Sequence, residues 1–315
     1  MITISVPSKV HLLGEHAVVY GKPAFLGAIN KRISVTIGSS KTKQILGDQT
    51  YIKEIKQLLA ILEREIQNKT EFKADKPYLI KINSQIPVRF GLGSSAALSA
   101  SFTAALLSFF KIPWSNKTVF DIAYEGEKFF HGNPSGGDLA AVIEGGFLWF
   151  RKEFEFLKTF ATLPFSPHKN IKQFILINSG KPEESTKEMI EKVAKLKTST
   201  PQKIQALFNS QEEWTKQMVI AFKDGNEENL MECIKLGEQN LEKLGVVGAR
   251  AKVLIRSIER IGGVAKICGA GGVKSGSGML LVYHKDTGKL LNYIKQKKLE
   301  FLKIRIGVEG LKRDE

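Results

Sequence analysis

The sequence predicts an α+β protein in two halves. Strand-like segments come first, successive helical patterns run from about residue 180 to Gly262, and strands then return. Residues 2–6 and 28–37 alternate or are β-branched, as strands are. Over 50–68, Ile52, Ile55, Leu58, Leu59, Leu62 and Ile66 recur at helical spacing. Residues 78–86 read as a strand that leads into a glycine- and serine-rich turn, with a helix over 95–110 behind it. A second amphipathic helix covers 116–130, and 145–154 and 173–178 return to strand. The character changes around Ser179, Gly180, Lys181 and Pro182, which divides the chain into 1–180 and 181–315. Breaks near 198–201, 224–225 and 245–248 separate the helices that follow. A Gly-rich loop, a strand over 279–283, a helix over 287–297 and a strand over 301–308 close the chain.

Composition excludes several classes. The chain has 315 residues, 43% of them hydrophobic and 25% charged, which suits a soluble globular protein of one large or two medium domains. The apolar stretch 96–110 is broken by Ser99, Ser101, Thr103 and Ser108 and is too short to span a bilayer, so it reads as a buried helix. No basic start precedes an apolar run, so no signal peptide is expected. Cys233 and Cys268 lack metal-ligand spacing and fit reduced thiols in a cytoplasm. The net charge of +15 invites nucleic acid, but the lysines and arginines are spread along the chain without interleaved aromatics. A solvated surface, or a field that attracts anionic substrates, accounts for it better.

The turn at residues 87–97 (PVRFGLGSSAA) carries the first chemical signal. Gly91 and Gly93 let a backbone approach a ligand closely, and Ser94 and Ser95 place hydroxyls at a helix N-terminus whose amides are unpaired. The helix dipole points back at this turn, making an anion site, and hydroxyls able to reach a metal suggest a nucleoside triphosphate. An ordinary strand-to-helix turn with a serine cap would look the same.

Two further segments, residues 7–23 (PSKVHLLGEHAVVYGKP) and 266–278 (KICGAGGVKSGSG), complete a pattern. In this order the three segments resemble the signature motifs of the GHMP kinases, a superfamily that includes galactokinases, homoserine kinases, mevalonate kinases and phosphomevalonate kinases. The match runs the length of the chain. Residues 14–21, 125–127 and 132–138 are most similar to the mevalonate kinases within it. The resemblance implies a two-domain GHMP kinase architecture, with an N-terminal mixed α/β nucleotide domain and a C-terminal α+β ferredoxin-like domain. It implies ATP and Mg²⁺ as cofactors and mevalonate as the small-molecule substrate, phosphorylated on its 5-hydroxyl. It gives no nucleic-acid or membrane partner and leaves a homodimer open. Phosphomevalonate kinase is the first alternative, because +15 would suit a more anionic substrate. A catalytically silent relative is the second, opposed by the joint presence of Lys9, Ser95, Glu127 and Asp138.

The resemblance also implies residue roles. Gly91, Leu92, Gly93, Ser94, Ser95 and Ala96 would hold the nucleotide phosphates, with Ser95 and Glu127 as the Mg²⁺ ligands. Asp138 would accept the substrate hydroxyl proton, where it could otherwise cap the segment 139–142. Lys9, just past the first strand, would lower the Asp138 pKa and steady the phosphoryl group, or else snorkel to the surface. Glu125 is left to the helix surface or a salt bridge, since positions two apart cannot face the same way. Glu15, His16, Thr186 and Ala270 would lie on the substrate side; His16 could instead be a satisfied turn histidine and Thr186 a helix cap. The third segment departs from its relatives, because Val273, Lys274 and Ser275 interrupt the glycine run. It is not a P-loop: Cys268 and Val273 occupy the required glycine positions and no helix follows. Lys274 either points into solvent or holds an acidic group.

Overall fold

The structure, a computed structural model, describes residues 1–70 and 76–314. The first part of the chain runs β1 (Ile2–Leu13), β2 (Ala24–Ser39), β3 (Gln44–Leu46), α1 (Ile52–Thr70), β4 (Tyr78–Ser84), α2 (Ser94–Phe109), α3 (Asn116–His131), α4 (Gly137–Glu144), β5 (Phe147–Lys152) and β6 (Lys158–Leu163). The second part runs β7 (Ile175–Asn178), α5 (Thr186–Ser199), α6 (Pro201–Asp224), α7 (Glu227–Lys243), α8 (Ala249–Arg260), β8 (Val264–Ile267), β9 (Met279–Tyr283), α9 (Thr287–Gln296), β10 (Phe301–Lys303) and β11 (Lys312–Asp314).

Two sheets organise these elements. The larger has seven strands, ordered β11-β1-β2-β4-β3, with β5 on β2 and β6 on β5. The smaller has four antiparallel strands ordered β10-β7-β9-β8. This is the expected α+β architecture. The sheets do not divide at one chain position. Residues 175–178, ahead of the expected boundary at 180, lie in the smaller sheet, and β11 returns to the larger one against β1.

An aromatic chain joins the halves. Phe147 on β5 meets Phe222 on α6 at 5.4 Å, and Phe222 stacks on Phe174, next to β7, at 5.7 Å. Such ring pairs add about 0.5–1.5 kcal/mol each beyond the apolar area they bury.

The longest departure from expectation is β1, which continues to Leu13 instead of ending at residue 6. From Ile4 onward every residue of β1 is buried, and the alternation that starts the strand is interrupted at Pro7 and Ser8 before Val10 and Leu12 take it up again. Pro7 sits at a register shift between Pro7 and Ser8, where a missing N–H costs no ladder bond. Lys9 is therefore inside a central strand and not beyond it. The short strands β3, β6 and β8 were not legible as strands, and the expected strand over 301–308 is only three residues long. In β8 the fully buried Lys266 disguises a core strand as a polar loop.

Candidate active site

Lys9 is the hub of the site. Its side chain is 1% exposed, so its ammonium needs a partner for each of its three N–H donors. It has them: Asp138 Oδ2 at 2.9 Å, the Gly91 carbonyl at 3.2 Å and His11 Nδ1 at 3.0 Å. Snorkelling is ruled out by this burial. Gly93 makes room for the lysine, because a Cβ there would lie 2.9 Å from Lys9 Cε, and its φ of +71° is one that L side chains rarely adopt.

Asp138 stands in the first turn of α4, where a carboxylate is favoured by the helix dipole. It does not cap the helix. Gly136, in the left-handed region, is the N-cap and no side chain bonds there. The Asp138 side chain remains 35% exposed, leaving it open to a reacting hydroxyl. Desolvation is the largest influence and pushes its pKa up, but Lys9, by charge and hydrogen bond, together with His11 and His131 holds the carboxyl below the usual carboxylate range. It is thus ionised through the neutral range, as a proton acceptor must be.

The glycine turn packs on β1. Ser8 Oγ donates to the Leu92 carbonyl at 2.7 Å, as does the Lys9 amide at 3.2 Å. The N-cap of α2 is Gly93 and no serine side chain caps the helix, so Ser94 and Ser95 are its first two residues instead. Both hydroxyls are consequently free of the capping duty the sequence suggested. The amides of Ser94, Ser95 and Ala96 fall where a helix has no carbonyl to offer them.

Ser95 faces α3. Its hydroxyl lies 3.3 Å from Glu127 Oε2 and 2.9 Å from His131 Nε2, and Ser99 donates to Glu127 Oε1 at 3.4 Å. Glu127 and His131 are four apart and share a helix face, whereas Glu125 turns outward to Lys128 at 2.7 Å. Burial, with the Asp138 charge second, raises the Glu127 pKa to about 8. A buried carboxylate beside a hydroxyl fits a hard cation that would restore its ionised form. Among the described residues no cluster of three or more His, Cys, Asp or Glu side chains could hold a metal, so a cation here would complete its shell from phosphate and water. Ser95→Ala and Glu127→Gln are each expected to raise the Mg²⁺ concentration needed for half-maximal activity, measured by metal titration at saturating ATP. An unchanged metal dependence in both would remove these two side chains as ligands.

A second buried cluster lies behind the first. Lys266 Nζ pairs with Glu15, and also donates to the carbonyls of His11 at 3.1 Å and Ile267 at 2.6 Å. His16, with φ of 58°, shares a 3.0 Å hydrogen bond through Nε2 with the Ala270 carbonyl, and burial pushes its pKa down to about 4. The neutral ring is the donor. Glu15 and His16 are therefore committed to Lys266 and Ala270, and they tie the first motif to the third.

Glu238 of α7 closes this cluster by accepting the Ile267 amide at 3.0 Å, and burial raises its pKa to about 8. A carboxyl whose folded pKa is raised contributes stability below its unfolded pKa and loses it as pH climbs through the folded value. The ligand-free protein should therefore melt at lower temperature at about pH 9 than at about pH 6. Glu238→Gln keeps an acceptor for Ile267 and should melt above the wild type at the alkaline end. Identical alkaline loss in both proteins would show that Glu238 does not titrate there.

The third motif joins β8 to β9, so a strand and not a helix follows it, as the rejection of a P-loop requires. Its Gly269 lies against Gly91, where a Cβ would come within 2.9 Å of the Gly91 Cα. The amides of Val273 and Lys274 donate to the Glu184 carboxylate, and the Lys274 side chain is exposed. Thr186 is also exposed. The cap of α5 is Ser185, which forms a capping box with Glu188, so Thr186 is not the cap. Two residues of the first cluster were missed in the sequence, His11 and His131. Each had a signal: His11 is two from Lys9 on a strand, and His131 four from Glu127 on a helix.

Residues 51–146 match the family described as the GHMP kinases N terminal domain. A mevalonate kinase of Archaeoglobus fulgidus is 32% identical over 270 residues, covering 85% of this chain and 88% of that protein. The chain belongs to the GHMP kinase family. The fold of this GHMP kinase agrees with solved structures. It is similar to Methanococcus jannaschii mevalonate kinase, with a TM-score of 0.80 and 21% identity over 96% of this chain and 98% of the other. It is also similar to L. major mevalonate kinase in complex with R-mevalonate, with a TM-score of 0.79 and 19% identity over 97% and 95%. No described helix is long and apolar enough to cross a membrane. Both cysteines are free and buried, with pKa values pushed up to about 12, which makes them unreactive thiols.

Proposed function

We propose that this GHMP kinase transfers the γ-phosphoryl group of ATP to the 5-hydroxyl of mevalonate. The observation that carries this reading is the Lys9–Asp138 pair at 2.9 Å, held against the glycine turn by the Lys9–Gly91 bond. The mevalonate kinases among its relatives support the substrate. Asp138 accepts the hydroxyl proton as the oxygen attacks phosphorus. Lys9 keeps the carboxylate ionised and fixes its distance from the turn. The unpaired amides of Ser94, Ser95 and Ala96 orient the phosphates. Mg²⁺ on Ser95 and Glu127 would supply charge neutralisation for the phosphate oxygens. The Glu15–Lys266 and His16–Ala270 contacts support the wall on the mevalonate side.

The test is ADP release measured with mevalonate, phosphomevalonate, galactose and homoserine in parallel. The expected result is a kcat/KM for mevalonate well above the other three. Preference for phosphomevalonate, the substrate that the +15 charge would favour, would replace the reading with phosphomevalonate kinase.

A further inference from the structure

We propose that His11 is a positioning residue for phosphoryl transfer, its Nδ1 being the third acceptor that locks Lys9 Nζ between Asp138 and the Gly91 carbonyl. The inference rests on the reading of this chain as a small-molecule kinase. Lys9 and His11 are two apart on β1, so their side chains leave the same face of the strand. His11 is buried, and its Nδ1 stands 3.0 Å from Nζ and 3.7 Å from Asp138 Oδ1. Nδ1 can accept from an ammonium only if the ring is neutral and carries its proton on Nε2.

The surroundings enforce that form. Burial is the largest influence, followed by Lys9 on the same strand. Asp138 on α4 opposes them, while Lys266 on β8 and His16 in the turn after β1 reinforce them, and the His11 pKa ends well below its usual value. Lys266 also anchors the backbone of this residue by donating to its carbonyl.

The role of the third acceptor appears when the proton moves. Once Asp138 takes the hydroxyl proton it becomes neutral, and its pull on the ammonium drops. Gly91 and His11 then hold Nζ in place, so the carboxyl does not drift from the reacting oxygen. Without His11, one N–H of a buried ammonium loses its acceptor and Nζ can swing toward the other Asp138 oxygen. Turnover should suffer more than ATP binding, because the Gly91 contact remains. Protonating His11 would have the same effect and would place a second cation beside Nζ.

The experiment compares His11→Leu with His11→Asn, which restores an oxygen acceptor. One arm measures kcat, the KM for ATP and the pH profile with mevalonate. The other follows the Lys9 ammonium by ¹⁵N NMR in the ligand-free protein, its signal identified by its loss in Lys9→Arg. His11→Leu should lose on the order of 10-fold in kcat, the scale of one charge-assisted hydrogen bond, with the KM for ATP within about twofold. Its ammonium protons should exchange faster with water. His11→Asn should recover kcat to within about threefold of wild type, keep slow exchange, and lose steepness on the acid limb. Wild-type kcat in His11→Leu, or equal losses in both variants, would overturn the proposal and leave the ring as packing. If His11→Leu fails to fold, an acid limb in His11→Asn identical to wild type overturns it instead. A wild type inactive on mevalonate would defeat the functional reading alone, and the exchange rates would still decide His11.

Discussion

Asp138→Asn should lower kcat by a factor on the order of 10² to 10⁴, the range for removing a positioned proton acceptor. The KM for ATP should stay within about twofold, because the phosphates are proposed to lie on the glycine turn and the N-terminus of α2, away from this side chain. The amide is nearly isosteric and its oxygen can still accept from Lys9, so the fold should survive. That separates this variant from one that merely unfolds, and the melting temperature provides the control. An Asn variant that turns over as fast as the wild type would remove Asp138 from the chemistry, leaving its 2.9 Å bond to Lys9 as a structural ion pair.

Lys9→Ala should have an effect of similar size, on the order of 10² to 10³ in kcat, by a different route. It removes the largest of the influences that oppose desolvation at Asp138, so the carboxyl pKa must rise. The sign is definite. A base whose pKa rises becomes protonated at higher pH, so the acid limb of the kcat profile should move toward neutrality. Glu127 sits in the same field, where Lys9 opposes its raised pKa, and it should become still harder to ionise. Lys9→Arg should not rescue. A guanidinium cannot reproduce three separate donors from one nitrogen, and the lysine stem already lies against Gly93. A pH profile unchanged in Lys9→Ala would show that the lysine does not set the Asp138 pKa.

Much of this site was legible in the sequence because its chemistry sits in contiguous motifs. Gly91, Gly93 and Ser95 announce the turn, and the segment ending at Asp138 announces the carboxylate. What was illegible depends on contacts between motifs. The spacing that pairs His11 with Lys9 has meaning only on a strand, and the sequence predicts a first strand that ends at residue 6, ahead of both. Lys266 and Glu238 fall outside the reading because each is buried beside a residue distant in the chain. The fold followed a similar division. Helices with apolar stripes, such as α1 and α7, have a period that shows in sequence, while β3, β6 and β8 are too short for theirs to show. β1 was cut short because Pro7 and Ser8 interrupt its alternation, where the register also shifts.

If Asp138 takes a proton from the 5-hydroxyl of mevalonate while ATP supplies the phosphoryl group, ester formation must depend on that carboxylate. The most direct measurement is ³¹P NMR of the reaction with ATP, Mg²⁺ and mevalonate, for wild type and Asp138→Asn together. A new phosphomonoester signal coupled to the protons on C5 is expected, with one ADP formed per ester and no ester from the variant in the same time. Inorganic phosphate as the sole product, or an ester formed equally fast by both proteins, would contradict it.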